Sequence, residues 1–153
     1  MEINSGGAMK KKDNIEFLDE IYQSAHMGKE SIDAILPKVE NNNHLKTILQ
    51  QQRNRYQGFC NDAEQMLKRY QKSPQDIGAM EKLSVKTGIT LNTMLRHDTP
   101  HMAQMMIEGT TMGIVKMTQQ IKGHLQCDRD IINLGKNVVK CQQQNIEEMK
   151  RYL

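Results

Sequence analysis

The chain has 153 residues, a length that suits one domain with a buried core of its own. Its 21 basic and 18 acidic residues are interspersed and leave a net charge of +3, which favours neither a nucleic-acid partner nor an anionic membrane. Trp is absent and Met occurs 12 times, so the core must consist mainly of aliphatic residues and Met. Since Met forms helices well and only three Pro residues interrupt the chain, we predict an all-α protein.

The cysteines indicate a reducing compartment. Their number is odd and none of them forms a CxxC pair, a pattern typical of reduced thiols: Cys60, Cys127 and Cys141. The sequence contains no apolar stretch long enough for a signal peptide or a bilayer-spanning helix. We therefore expect a cytoplasmic protein with no membrane partner.

The first helix is predicted to follow a disordered tail. Residues 1–12 show no hydrophobic periodicity, so we assign them to the tail and residues 13–153 to one helical bundle. Asp13 or Asn14 can cap the helix, and Pro37 should kink or end it near Leu36. The apolar stripe repeats about every 3.6 residues: Leu18, Ile21, Tyr22, Ala25, Gly28, Ile32, Ile35 and Val39. The following run of three Asn residues, 41–43, is typical of a turn and cap.

Four further helical segments are predicted, at about 43–71, 74–96, 99–123 and 128 to the last residue. Asp98 or Thr99 can cap the third of these, and Gly123 can end it. Segment 74–96 is the weakest, but as a helix it would be roughly 35 Å long, enough to run the length of a bundle. Two helical hairpins joined by one long crossover is the connectivity of ferritin-like four-helix bundles.

Three stretches resemble small uncharacterised bacterial ferritin-like proteins of Firmicutes type. They are YQSAHMG at 22–28, HMAQMMIEGTTMG at 101–113 and NIEEMKRYL at 145–153. The resemblance covers about residues 13–153 and implies the ferritin-like four-helix bundle. Stretches 101–113 and 145–153 also resemble secreted ferritin-like families in which a His-His pair follows Met-Ile. Gly109 and Thr110 stand near that place, so the pair is missing here.

The metal ligands that the resemblance implies are also missing. Di-iron bundles of this type use a Glu from each of two helices and a Glu-x-x-His from each of the other two, and this sequence has no Glu-x-x-His. Core-facing positions carry Gln52, Gln142 and Asn145 instead, and amides are poor ligands for hard cations. We therefore predict no metal, no cofactor and no enzyme activity. Three or more acidic or imidazole groups converging between the hairpins would contradict this prediction.

The three amide side chains admit three interpretations. They could form a buried amide network in place of the metal, a polar layer that sets the register of the helices, or a partly exposed set. If they are buried, they should be hydrogen-bonded, since an unmade bond costs ~1–3 kcal/mol.

An alternative is a ferritin-like protein that binds iron, manganese or copper through atypical ligands. The candidates are His26, Glu30, His101 and Glu108. His26 and Glu30 are four residues apart on one helix, a spacing that also produces ordinary surface pairs. His101 stands at a helix start, where turn chemistry is the competing explanation.

Soft ligands offer a second route to a metal. Five Met residues on one helix could bind copper, but their spacing also fits core packing: Met102, Met105, Met106, Met112 and Met117. The cysteines have no neighbouring His or basic pocket in the sequence, so burial is their default role.

The function expected from these observations is a non-enzymatic scaffold or interaction protein. A spore-coat or stress-associated role would suit the resemblance, by analogy between folds. The apolar residues of segment 74–96 do not all fit one stripe and could form a homodimer or bind another protein: Leu83, Val85, Leu91 and Met94. No nucleic-acid partner is expected.

Overall fold

The structure is a computed structural model that describes residues 2–75 and 98–153. Over these two ranges it contains four α-helices and no strand, as the all-α prediction requires. The helices are α1 (Glu2–Ile35), α2 (Asn43–Lys68), α3 (Thr99–Gly123) and α4 (Arg129–Lys150), with a short 3-10 helix, Leu36–Lys38, after α1. None of these helices has the length and apolar character needed to cross a lipid bilayer.

The helix boundaries follow the predicted capping residues. Pro37 lies in the 3-10 turn directly after α1, and Asn41 adopts a left-handed conformation with φ of 55°. The Asn42 side chain accepts a hydrogen bond of 2.9 Å from the backbone N–H of Leu45 at the start of α2. Asp98 caps α3 in the same way, since its Oδ1 accepts from the backbone N–H of His101 at 3.0 Å.

The N-terminal residues are helical, whereas the sequence analysis assigned residues 1–12 to a disordered tail. Residues 6–12 are exposed, so they have no buried stripe and no periodicity to reveal a helix. Their Ala, Met and Lys side chains are nevertheless good helix formers. Lys10 also forms an ion pair of 2.9 Å with Asp128 at the start of α4, which ties this exposed turn to the second hairpin.

The helices pack as two antiparallel hairpins, α1 with α2 and α3 with α4. An apolar cluster occupies each end of the bundle. One contains Ile32 and Ile35 of α1, Leu45 and Leu49 of α2, Met102 and Met106 of α3, and Met149 of α4; the other contains Phe17 and Leu18, Ala63 and Leu67, Met117, and Ile131 and Leu134.

The two clusters fix the direction of the long connection. Both α2 and α3 start at the first cluster and end at the second, so they are parallel. The chain therefore leaves α2 at one end of the bundle and enters α3 at the opposite end. Segment 74–96, which we predicted to be this crossover, lies almost entirely outside the described residues.

One glycine brings the helices of the first hairpin together. A Cβ atom added at Gly28 of α1 would lie 2.6 Å from Cζ of Tyr56 on α2, closer than real Cβ contacts allow. The aromatic ring of Tyr56 therefore packs directly on the α1 backbone.

Candidate functional site

A layer of polar side chains lies between α2 and α4 in the bundle interior. We call Gln52, Arg55, Asn145 and Glu148 the central polar layer. Gln52 and Asn145 are each 1% exposed, and Gln142, one turn before Asn145, is 3% exposed. These amides are therefore interior groups, and the partly exposed interpretation is excluded.

Hydrogen bonds join the members of this layer across the two helices. Gln52 donates from Nε2 to Glu148 Oε2 at 2.9 Å, and Arg55 donates from Nη1 to Asn145 Oδ1 at 3.0 Å. Arg55 also pairs with Glu148, with 2.9 Å between Nη2 and Oε1. Burial works to raise the pKa of Glu148, but the donors of Arg55 and Gln52 outweigh it and lower this pKa. The single carboxylate of the layer is thus ionised and neutralised by its neighbour.

Two polar atoms in and next to the central polar layer lack a hydrogen-bond partner. Gln142 Oε1 and Asn145 Nδ2 are buried and have no hydrogen-bond partner. The amide of Gln142 packs on α3, since a Cβ atom added at Gly113 would lie 2.8 Å from its Nε2. Tyr56 borders the same region, and burial raises its pKa to about 12, so its hydroxyl stays protonated. The layer therefore offers neutral dipoles and one compensated charge, and no general base.

The four atypical ligand candidates do not assemble into one site. His26 Nε2 lies 3.7 Å from Glu30 Oε1 on α1, with 22% and 41% of these side chains exposed. Glu108 accepts a hydrogen bond from Gln104 on the exposed face of α3, and His101 uses its backbone N–H to bind Asp98. Within the described ranges, no hydrogen bond, ion pair or metal-ligand group joins His101 or Glu108 to the pair on α1.

The Met residues of α3 divide between the interior and the surface. Met102, Met106 and Met117 are buried in the two apolar clusters, whereas Met112 is 73% exposed. Because the buried ones contact aliphatic residues of other helices, core packing accounts for them and a copper site is not needed.

A second polar group, which the sequence does not reveal, lies at the end of the bundle that holds the apolar cluster of Phe17 and Met117. We call Asp13, Glu16, Glu20 and His124 the carboxylate–histidine cluster. The three acidic residues share one face of α1, and His124 follows the last residue of α3. One ligand atom from each of Asp13, Glu16 and His124 lies within 4.8 Å of the other two. Acidic and imidazole groups from both hairpins therefore converge here, and this arrangement contradicts the expectation that neutral side chains line the space between the hairpins.

The imidazole of His124 is held between carboxylates and an aromatic ring. Its Nδ1 lies 3.8 Å from Asp13 Oδ1, and its Nε2 lies 3.0 Å from Glu20 Oε2. Phe17 stacks on the ring with centroids 4.9 Å apart and planes 14° apart. Burial raises the pKa of Glu20, while the nearby His124 opposes that shift.

The spacing of Asp13, Glu16 and Glu20 is visible in the sequence, but their partner is not. We predicted that the first helix starts at residue 13, which made Asp13 a capping residue and Glu16 a charge of the first turn. Their position on one face of a longer helix therefore did not indicate a site. His124 follows the glycine that ends α3, and only the packing of the second hairpin on α1 brings it to this face.

Comparisons with models of known protein families, with curated proteins and with solved structures found no match to this chain. No family assignment follows from these comparisons.

Proposed function

We propose that this protein is a non-enzymatic scaffold or interaction protein, built on a ferritin-like bundle that lacks the di-iron ligand set. The observation that carries the proposal is the composition of the central polar layer. A di-iron centre needs four carboxylates and two imidazoles, and this layer has the one carboxylate of Glu148, already paired with Arg55. Its remaining members are amides that hydrogen-bond to these charges.

The direction of the helices supports the ferritin-like part of the proposal. The helices α2 and α3 belong to different antiparallel hairpins and run parallel, which is the arrangement that one long crossover produces in ferritin-like bundles. The stretches at 22–28, 101–113 and 145–153 that resemble such proteins lie on α1, on α3 and at the end of α4. A spore-coat or stress-associated role remains an analogy between folds.

The interior also lacks an activated nucleophile among its described thiols. Burial raises the pKa of Cys60 to about 11, and burial likewise raises the pKa of Cys141 beside Asn145. A catalytic thiol needs the opposite shift, toward the thiolate. The role of the interior in this proposal is to stabilise the bundle. The partner that binds the bundle is then a second copy of the chain or another protein.

Iron oxidation tests the absence of a di-iron centre. Purified protein is mixed anaerobically with Fe²⁺, exposed to oxygen, and the appearance of Fe³⁺ is followed by absorbance. We expect the rate of the buffer blank for the wild type and for Glu148→Gln. The proposal would be overturned if the wild type oxidised Fe²⁺ faster than the buffer blank and Glu148→Gln abolished this difference.

A second variant identifies the source of any signal. Oxidation that persists in Glu148→Gln and disappears in His124→Ala arises at the carboxylate–histidine cluster; it would overturn the non-enzymatic part of the proposal and leave the central polar layer structural. Sedimentation equilibrium at several concentrations supplies the positive readout, since a scaffold that acts through a second copy must self-associate.

A further inference from the structure

The carboxylate–histidine cluster has the make-up of a cation site. Asp13 and Glu16 lie one helical turn apart on α1, and His124 reaches them from the end of α3. Imidazole and carboxylate together suit divalent ions of the first transition row, whereas Mg²⁺ and Ca²⁺ prefer oxygen ligands alone. The ligands come from both hairpins, so a bound ion would cross-link the bundle.

An unsatisfied nitrogen points into the cluster. Only 11% of the His124 side chain is exposed. Its Nδ1 is buried and has no hydrogen-bond partner. Its neighbour Asp13 Oδ1 is 3.8 Å away, too far for a hydrogen bond. Two ligand atoms on a tetrahedral ion with bonds of about 2.0–2.1 Å stand about 3.4 Å apart. The gap is therefore close to the separation that a shared ion would set.

A carboxylate also lies beside the second nitrogen of the imidazole. A metal-bound His usually gives its other N–H to a carboxylate, which fixes the tautomer and the direction of the ring. Glu20 Oε2 lies 3.0 Å from Nε2, but out of line with the ring N–H, so it forms an ion-pair contact and not an aligned hydrogen bond. This carboxylate favours the proton on Nε2, which leaves the lone pair of Nδ1 free for an ion.

The charge balance agrees with this arrangement. Three carboxylates face one imidazole. Burial raises the pKa of the Glu20 carboxyl group, and the positive charge of Lys116 lies close enough to oppose this rise. Protonation of His124 would offset one negative charge and leave the set acidic. An ion of charge two would neutralise both Asp13 and Glu16.

We infer that Asp13, Glu16 and His124 bind one divalent transition-metal ion, with Glu20 as the residue that positions the imidazole. The ion joins α1 to the end of α3 and so clamps the two hairpins at this end. Its role goes beyond the scaffold function proposed above and uses none of the residues of the central polar layer.

Calorimetric titration of the chelator-treated, full-length protein tests the site. The probes are ZnCl₂, MnCl₂, MgCl₂ and CaCl₂, each added separately, and metal retained after desalting is counted per chain. We expect one Zn²⁺ per chain, weaker binding of Mn²⁺ in keeping with the usual order of affinities, and a melting temperature that rises with added Zn²⁺. Equal binding of Mg²⁺ or Ca²⁺ would show a general acidic patch and overturn the assignment.

Variants locate the ion. His124→Ala should abolish Zn²⁺ binding, and Glu16→Gln should weaken it at least ~10-fold, by the loss of one ligand. Glu16 is exposed, so its variant remains informative even if His124→Ala does not fold. His26→Ala is the matched control, since it removes an imidazole that lies beside a carboxylate elsewhere on α1, and it should leave binding unchanged.

The positioning role of Glu20 has its own readout. Glu20→Gln should keep one ion per chain while weakening the affinity by about 10–100-fold, as for other carboxylates behind a metal-bound His. An affinity equal to that of the wild type would remove Glu20 from the site. Zn²⁺ binding unaffected by both His124→Ala and Glu16→Gln would refute the site as a whole, and the scaffold role of the bundle would still stand.

Discussion

Asn14 and Asp128 exchange hydrogen bonds across the bundle. Asn14 donates from Nδ2 to Asp128 Oδ2, and the backbone N–H of Asp128 donates to Asn14 Oδ1, both at 3.0 Å. Nδ2 also donates to the hydroxyl of Tyr70 at 2.9 Å. Asn14 is 2% exposed. One buried amide thus joins α1, the turn that follows α2 and the start of α4.

Asn14→Ala should destabilise the protein by ~2–3 kcal/mol, because it leaves a backbone N–H and a carboxylate oxygen without their partner. Urea unfolding followed by circular dichroism measures this loss. Lys10→Ala is the matched control, since it removes an exposed ion pair to the same Asp128 and should cost clearly less stability than Asn14→Ala. Equal losses for the two variants would mean that the buried bonds contribute no more than the surface pair.

The sequence predicted those features of the fold that local chemistry determines. Asn42, Asp98 and Pro37 act within a few residues of themselves, so the ends of α1 and the starts of α2 and α3 could be placed. The burial of Gln52 and Asn145 followed from helical periodicity. Their partner Glu148 was missed, because its contact with Arg55 depends on how α4 is rotated relative to α2. His124 was missed for the same reason, since contact with α1 is a property of packing.

Gly28 tests how closely α1 and α2 must approach. Gly28→Ala should destabilise the protein by ~1–3 kcal/mol, because the new methyl group overlaps the buried ring of Tyr56. Gly58→Ala is the control within α2, where an added Cβ meets nothing within 4 Å. There the substitution should stabilise by ~0.5–1 kcal/mol through helix propensity alone. Thermal melts of both variants check the opposite signs, and a stabilising Gly28→Ala would disprove the close contact.

The Arg55–Glu148 pair predicts a dependence of stability on pH. The folded-state pKa of Glu148 lies below its ordinary value of 4.5, so the folded protein binds this proton less tightly than the unfolded chain. The resulting stability is fully present above the ordinary value and is lost as the pH falls through the lowered one. Glu148→Gln should therefore cost ~1–3 kcal/mol at pH 7, and the difference from wild type should shrink toward pH 3.

Urea midpoints measured between pH 7 and pH 3 give this comparison. Glu147→Gln serves as the control, because Glu147 is 68% exposed where it pairs with Lys150 and should contribute below ~0.5 kcal/mol at any pH. A pH-independent gap between wild type and Glu148→Gln would indicate a packing effect of residue 148 in place of an effect of its charge.

The thiol of Cys60 should be almost inert in the folded protein. Burial raises its pKa from 9.0 to about 11, and its Sγ lies 3.9 Å from the backbone oxygen of Tyr22 in the interior. A rise of this size reduces the thiolate fraction about 100-fold, and the thiolate is the form that reacts. In a variant that keeps only this cysteine, Cys127→Ser with Cys141→Ser, Ellman's reagent at pH 8 should react at least ~100-fold more slowly than in the same chain unfolded in urea. Reaction within tenfold of the unfolded rate would show that the α1–α2 interface opens readily, which is incompatible with a hairpin held by the close contact of Gly28 and Tyr56.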